Sequence, residues 1–234
     1  KDLNWQSATN FAEDGKRKSI LQYFDGSLKE RQSVTKDNAS NTTIVGSTLY
    51  DKQGRPVINV LPSPTLDNLI HYTPLINRDI NNPSVEYGRE LYDGSPQVGD
   101  DCCMAAPGMA SDTGAAKYYS PANSLKAIGK NQFIPDAQHF PFSQTQFSPD
   151  NTGRIMAQSG VELDFRLGTG HETKYYYGVP SQTDLDALFG TDAGDASHYQ
   201  KNMVRDANGQ YSISYVDMKG KTVATALAGE SPAS

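Results

Sequence analysis

The tetrapeptide Asp-x-x-Gly recurs along this chain, each time between stretches that alternate like β-strands. It occurs as Asp51-Lys52-Gln53-Gly54, Asp150-Asn151-Thr152-Gly153, Asp206-Ala207-Asn208-Gly209 and Asp217-Met218-Lys219-Gly220. A polar or basic residue follows each glycine: Arg55, Arg154, Gln210 and Lys221. Asp at the first position of a turn accepts backbone N–H bonds through its carboxylate. Gly at the fourth takes a positive φ without a Cβ clash. One such turn is a weak signal. Several between β-type segments describe a chain of hairpins, and the close spacing of the copies at Asp206 and Asp217 suits consecutive strands of one sheet.

The segments between the turns carry the matching period. In "NTTIVGSTLYD", Thr43, Val45, Ser47 and Leu49 point one way while Ile44, Gly46, Thr48 and Tyr50 point the other. Ile20, Gln22 and Phe24 lead into a turn near Asp25-Gly26, "RQSVTKDN" follows, and Pro62 and Pro64 end the segment. "HETKYYYGVP" reads as a Tyr-rich strand. Tyr211, Ile213 and Tyr215 alternate with Ser212 and Ser214, and Val223, Thr225 and Leu227 with Ala224 and Ala226, predicting two successive hairpins. "SQTDLDALFG" predicts a helix with Thr183 as N-cap, Leu185, Leu188 and Phe189 on one face and Gly190 as the stop. Three segments follow: β-hairpins over 1–64, a loop-rich insertion or covering layer over 65–139, and β-hairpins again over 140–234. Within the insertion, "YYSPANSLKAIG" predicts a short helix after Pro121 that ends at Gly129. The expected fold is mainly β, with antiparallel hairpin repeats and one or two short helices.

Composition narrows the function classes. Leu, Ile, Val and Phe make up roughly 19% of the chain, close to the level of disordered sequences. The 13 Tyr supply apolar area which that count misses, and a net charge of −6 is too small to hold the chain open. The acidic balance argues against a nucleic-acid surface. The longest basic run, Lys16-Arg17-Lys18, reads as a solvated turn. No stretch is long and apolar enough to span a bilayer, and no charged-then-apolar signal opens the chain. Lys1 in place of an initiator Met predicts a processed or excised piece of a longer protein. The adjacent Cys102 and Cys103 form neither a disulfide framework nor a zinc ligand set. Free or remotely paired thiols are expected, with a vicinal redox switch as the alternative.

"YDKQGR" at 50–55 resembles the tyrosine-aspartate (YD) repeat of the RHS superfamily: Tyr-Asp, two variable residues, then Gly-Arg between strands. "YFDGSLKERQSVTKDN" at 23–38 is similar to a degenerate copy, as are "FSPDNTGR" at 147–154 and "YVDMKGKTVATALAG" at 215–229. The text as a whole is similar to large secreted RHS-like proteins of the Bacteroidetes type. Only one copy keeps the full motif: Phe24 replaces Tyr, Asp150 lacks an adjacent aromatic, and Lys221 replaces Arg. The resemblance implies a β-sheet that forms part of a hollow shell or surface scaffold, secreted or at the cell surface, with export by the type 9 system. Its implied partners are the remainder of its own shell, the secretion machinery and, in a polymorphic toxin, an enclosed effector. It implies no cofactor, and the self-cleavage of some RHS shells does not carry over, because the chain has no Asp-Pro.

Enzymatic motifs are weak. His71, His139, His171 and His198 are scattered, and "HETKY" lacks the second His of a zinc-protease helix. Asp192, Asp195 and His198 do not follow an EF-hand spacing, and Gly168-Thr169-Gly170 lacks the rest of a phosphate loop. No metal site is expected. Tyr175 and Tyr177 are candidate ligand-stacking residues; with Tyr176, Trp5 and Tyr118-Tyr119 they would make a sugar-binding surface. The leading expectation is therefore a non-catalytic structural segment. A carbohydrate- or partner-binding module using these tyrosines and the loop 92–120 is the alternative.

Overall fold

The computed structural model describes residues 3–65, 67–93 and 105–228. The chain is mainly β. Its first five strands are β1 (Asn4–Phe11), β2 (Arg17–Phe24), β3 (Glu30–Asp37), β4 (Thr42–Tyr50) and β5 (Pro56–Pro64). The remaining strands are β6 (Phe142–Phe147), β7 (Ile155–Gln158), β8 (Thr173–Gly178), β9 (Tyr199–Arg205), β10 (Tyr211–Asp217) and β11 (Thr222–Ala228). The two α-helices are α1 (Gly114–Tyr118) and α2 (Gln182–Phe189). All 11 strands form one antiparallel sheet, and their spatial order is their chain order. That follows from the connections: most are short turns that return a strand beside the one before it. Longer links join β7 to β8 and, through α2, β8 to β9, and the longest joins β5 to β6. The chain leaves the sheet after β5 and returns to it at β6, so that Ile58 faces Gln144 and Val60 faces Phe142.

Cross-strand partners share a face, so the register defines two surfaces. One runs through Tyr23, Gln32 and Ser47 to Val60 and Phe142. The insertion covers this surface. Its Tyr87, Tyr92, Ala106, Met109, Ala115 and Ala116 pack with Leu49, Val57, Ile58, Val60 and Phe142 in the main core. A smaller cluster joins Val34 and Val45 to Ile76, with Leu21, Tyr23 and Ile70 against it. The insertion has little regular structure, yet it supplies half the core that the sheet cannot make alone. The opposite surface is polar and uncharged across the centre, with Ser33 opposite Gly46 and Thr48, Asn59 and Ser143 in a row.

Four local expectations are corrected. The helix of the insertion is α1, upstream of the expected position; residues 121–128 form turns and a 3-10 turn spans Gly129–Phe133. Tertiary packing decides this, since Ala115 and Ala116 are buried against the sheet, whereas Ile128 is exposed. The N-cap of α2 is Ser181, not Thr183. Its hydroxyl accepts from the Asp184 N–H, and the Asp184 carboxylate accepts in turn from the Ser181 N–H. Only Leu185 of the expected apolar face is fully buried. Arg17 and Lys18 are not in a turn but begin β2, and β5 continues through Pro62. Cys102 and Cys103 lie outside the described residues.

The hairpin β2–β3 contains an Asp turn with the wrong fourth residue. The Asp25 carboxylate accepts from the Ser27 and Lys29 N–H groups at 2.9 and 3.1 Å, and Leu28 occupies the left-handed position with φ of 59°. Leu28 is also 71% exposed, so it gains little from burial. A β-carbon in this region costs about 1–2 kcal/mol. Leu28→Gly is therefore expected to stabilise the protein by about 1 kcal/mol, seen as a raised denaturant midpoint at constant m-value.

Candidate functional site

The YD-like turn between β4 and β5 is the best-organised polar site in the molecule. Asp51 is 5% exposed, and its Oδ1 accepts from the Gln53 and Arg55 N–H groups, both at 2.9 Å. Its Oδ2 accepts from Arg55 Nε at 2.6 Å. The turn closes through Asp51 N–H to Arg55 O and Gly54 N–H to Asp51 O, with Gly54 at φ of 76°. The Arg55 guanidinium then lies 4.5 Å from the centre of the Phe147 ring on β6. The turn also reaches outward. The Tyr92 hydroxyl donates to Tyr50 O at 3.0 Å, Lys52 N–H donates to Asp93 Oδ2, and Gln53 Nε2 donates to Asn151 Oδ1 in the next hairpin. One motif thus ties β4, β5, β6 and the insertion together.

The same backbone geometry returns at Asp206 and Asp217. Asp206 Oδ1 accepts from Asn208 and Gln210, and Asp217 Oδ1 accepts from Lys219 and Lys221, at 2.8–2.9 Å. Gly209 and Gly220 hold φ of 86° and 79°. Among the described residues neither turn has an ion pair of the Asp51–Arg55 type, and neither places an arginine after the glycine.

The copy at Asp150 differs. Its hairpin closes one step further out, through Ser148 N–H to Arg154 O, and Asp150 accepts from the Thr152 N–H and hydroxyl. Gly153 keeps its positive φ of 72°, while Arg154 turns its guanidinium over the Tyr177 ring at 5.2 Å. The hydroxyls of Thr152 and Ser148 and the Thr152 N–H hold the Asp150 carboxyl down to about 2. A carboxyl depressed in the folded state stabilises it fully above its unfolded value near 3.8, and the contribution is lost as pH falls through about 2. The stability difference between the protein and Asp150→Asn is therefore expected to be constant above pH 5 and to shrink at lower pH. Denaturant titrations at a series of pH values measure it.

The structure separates the aromatic residues grouped by the sequence. Tyr175 and Tyr177 share the face of Gln158, where the Tyr175 hydroxyl donates to Gln158 Oε1 and the Tyr177 hydroxyl to Ile155 O. Tyr176 lies on the other face and meets Tyr211 at 6.4 Å. Trp5 is on β1, and Tyr118 and Tyr119 are paired edge to face in the insertion, 5.0 Å apart. These groups form no single stacking surface. The histidines are equally dispersed. His139 Nδ1 contacts Met109 O, His171 Nδ1 contacts Ala207 O, and His71 lies 3.6 Å from Asp67. Among the described residues, no group of three or more His, Cys, Asp and Glu is placed to hold a metal ion.

Two clefts stand out among the described residues. The larger, about 430 Å³, lies almost wholly within the insertion and is lined by residues including Thr73, Asp112, Lys117 and Tyr118. Its Asp112 is engaged by Arg78 at 2.9 Å. The smaller, about 240 Å³, contains Arg31, Tyr72, Glu86 and Glu90. Burial, then the Glu86 carboxylate, raise the Tyr72 hydroxyl above its ordinary value. These clefts hold mixed charge and hydroxyls. Sequence reasoning missed the outward contacts of the Asp51 turn, although its one signal was present: this is the only copy that keeps both Tyr and Arg. No family model matches the chain, and no curated protein is similar to it.

Proposed function

We propose that the chain is a non-catalytic wall element of a secreted or cell-surface RHS/YD-repeat protein, part of a shell or surface scaffold. The observation that carries this reading is the topology. Among the described residues, eleven strands follow one another in chain order, and β1 and β11 each pair on one side only. A sheet of this kind extends by adding further strands at its margins. The Asp-bracketed turns fit such a role, because each sets the register of one hairpin without help from its neighbours. The partners of the element are the remainder of its shell and, if the protein is a polymorphic toxin of the type 9 route, an enclosed effector.

Electron cryomicroscopy of the longest natural polypeptide containing this sequence tests the proposal. The expected result is a continuous sheet running through these strands, with a further strand bonded at the β11 margin. A sheet that ends with both margins bare in that polypeptide overturns it. The alternative, glycan binding, rests on the Tyr177 ring, which is 42% exposed beneath Arg154. It predicts a glycan-array signal that Tyr177→Ala abolishes.

A further inference from the structure

We propose that the larger cleft binds a small organic monocarboxylate, with its carboxylate on the Lys117 ammonium and its apolar body over Pro64, Ile76 and Leu125. The proposal goes beyond the scaffold reading and does not depend on it.

The walls of the cleft are held by the fold itself. Gly114, which opens α1, has a φ of 58°, and a β-carbon there would stand 1.9 Å from the Ile76 carbonyl oxygen. Glycine therefore lets the helix close on the segment that carries Ile76, and the Ala115 N–H donates to Asn77 Oδ1 at 3.3 Å beside it. On the other wall, the buried Asn123 donates through Nδ2 to Tyr118 O at 2.8 Å and accepts through Oδ1 from the Leu125 N–H at 2.9 Å. Walls fixed in this way lower the ordering cost of binding. A cleft of about 430 Å³ also falls in the size range of small-ligand sites, about 300–1,000 Å³.

The polar groups that line the cleft fall into two sets. The carboxylates are engaged: Asp112 pairs with Arg78 at 2.9 Å, and Asp67 Oδ1 accepts from the Leu69 N–H at 3.2 Å. The donors are not. Among the described residues, the half-buried Lys117 ammonium has no ion pair and no hydrogen bond, and the hydroxyls of Thr73, Thr113 and Ser124 have no hydrogen-bond partner. Thr113 stands at the N-cap position of α1, yet its hydroxyl caps nothing. One ammonium and three hydroxyls in one cleft call for an acceptor, and a charged acceptor forms the stronger bonds. Asp67 and Asp112 limit its charge. A single negative charge is balanced by Lys117, whereas the second charge of a phosphate would meet those two carboxylates. Pro64, Ile76 and Leu125 add an apolar lining that an organic acid can cover and an inorganic anion cannot.

Ligand-observed NMR titration of the 234-residue chain with phenylacetate and hexanoate tests the proposal. Saturable binding is expected, with a dissociation constant of about 1 mM or tighter for at least one of the two acids. Phenylacetamide, which keeps the shape and lacks the charge, and inorganic phosphate are expected to bind about tenfold more weakly or worse. Lys117→Met keeps the aliphatic stem without the charge and is expected to weaken the acid about tenfold or more, whereas Lys117→Arg retains binding. Thr113→Val removes a hydroxyl that makes no bond in the free protein, so it leaves folding intact and still weakens the acid. No saturable binding of either acid overturns the proposal. So does binding that both Lys117→Met and Thr113→Val leave unchanged, and so does phosphate binding tighter than either acid. Each of these results leaves the scaffold reading as it stands.

Discussion

Asp51→Ala is expected to destabilise the protein by about 3 kcal/mol, the low end of the cost of breaking a buried ion pair from one side. Asp51 is almost wholly buried, and the Arg55 side chain is 17% exposed. Removing the carboxylate takes the Arg55 guanidinium's 2.6 Å partner and leaves the Gln53 and Arg55 N–H groups without their acceptor. The turn also holds Tyr92, Asp93 and Asn151, so its loss loosens the insertion and the next hairpin together. Asp217→Ala is the internal control. It removes the same two backbone acceptor bonds from a turn with no arginine after its glycine and is expected to cost about 1 kcal/mol. Guanidinium denaturation of both variants, with m-values compared, measures the difference. Equal losses would show that the arginine clamp adds nothing.

Met109→Ala is expected to cost about 2–5 kcal/mol. Met109 is fully buried in the main core, between the insertion and the sheet. Its backbone is fixed from both sides, by His139 through N–H to O and by the bridge to Asp79. If the insertion were only a loose covering, truncation here would be nearly silent. The expected result is instead a lowered midpoint in a single transition seen equally by far-UV dichroism and by tyrosine fluorescence. A local change without loss of sheet stability would separate the insertion from the core.

The hairpins were legible in the sequence because their information is local. Alternation places Thr43, Val45 and Leu49 inward, and all three are buried. The Asp turns could be read from residue chemistry alone, since carboxylate and glycine act within five residues. Asp25 shows the limit of that reading: the carboxylate bonds form as in the other turns, although Leu28 stands in the position that favours glycine. The helix of the insertion was misplaced because long-range packing, not Pro121 and Gly129, decides where a five-residue helix forms. Ala115 and Ala116 are small enough to lie flat on the sheet. The grouping of Trp5 with the tyrosines failed for a related reason. Sequence shows which residues are aromatic, whereas face and strand number decide which of them meet.

The central claim is that the strands on either side of the insertion form one sheet, with β1 and β11 at its margins among the described residues. Residue-resolved amide hydrogen exchange tests it most directly. The account predicts slow exchange of the bonded amides at Ile58–Val60 and Phe142–Gln144, where the two halves join. It also predicts fast exchange along the outer edge of β11. Slow exchange on β11 together with unprotected amides at the β5–β6 seam would contradict it, because that pattern describes two separate sheets.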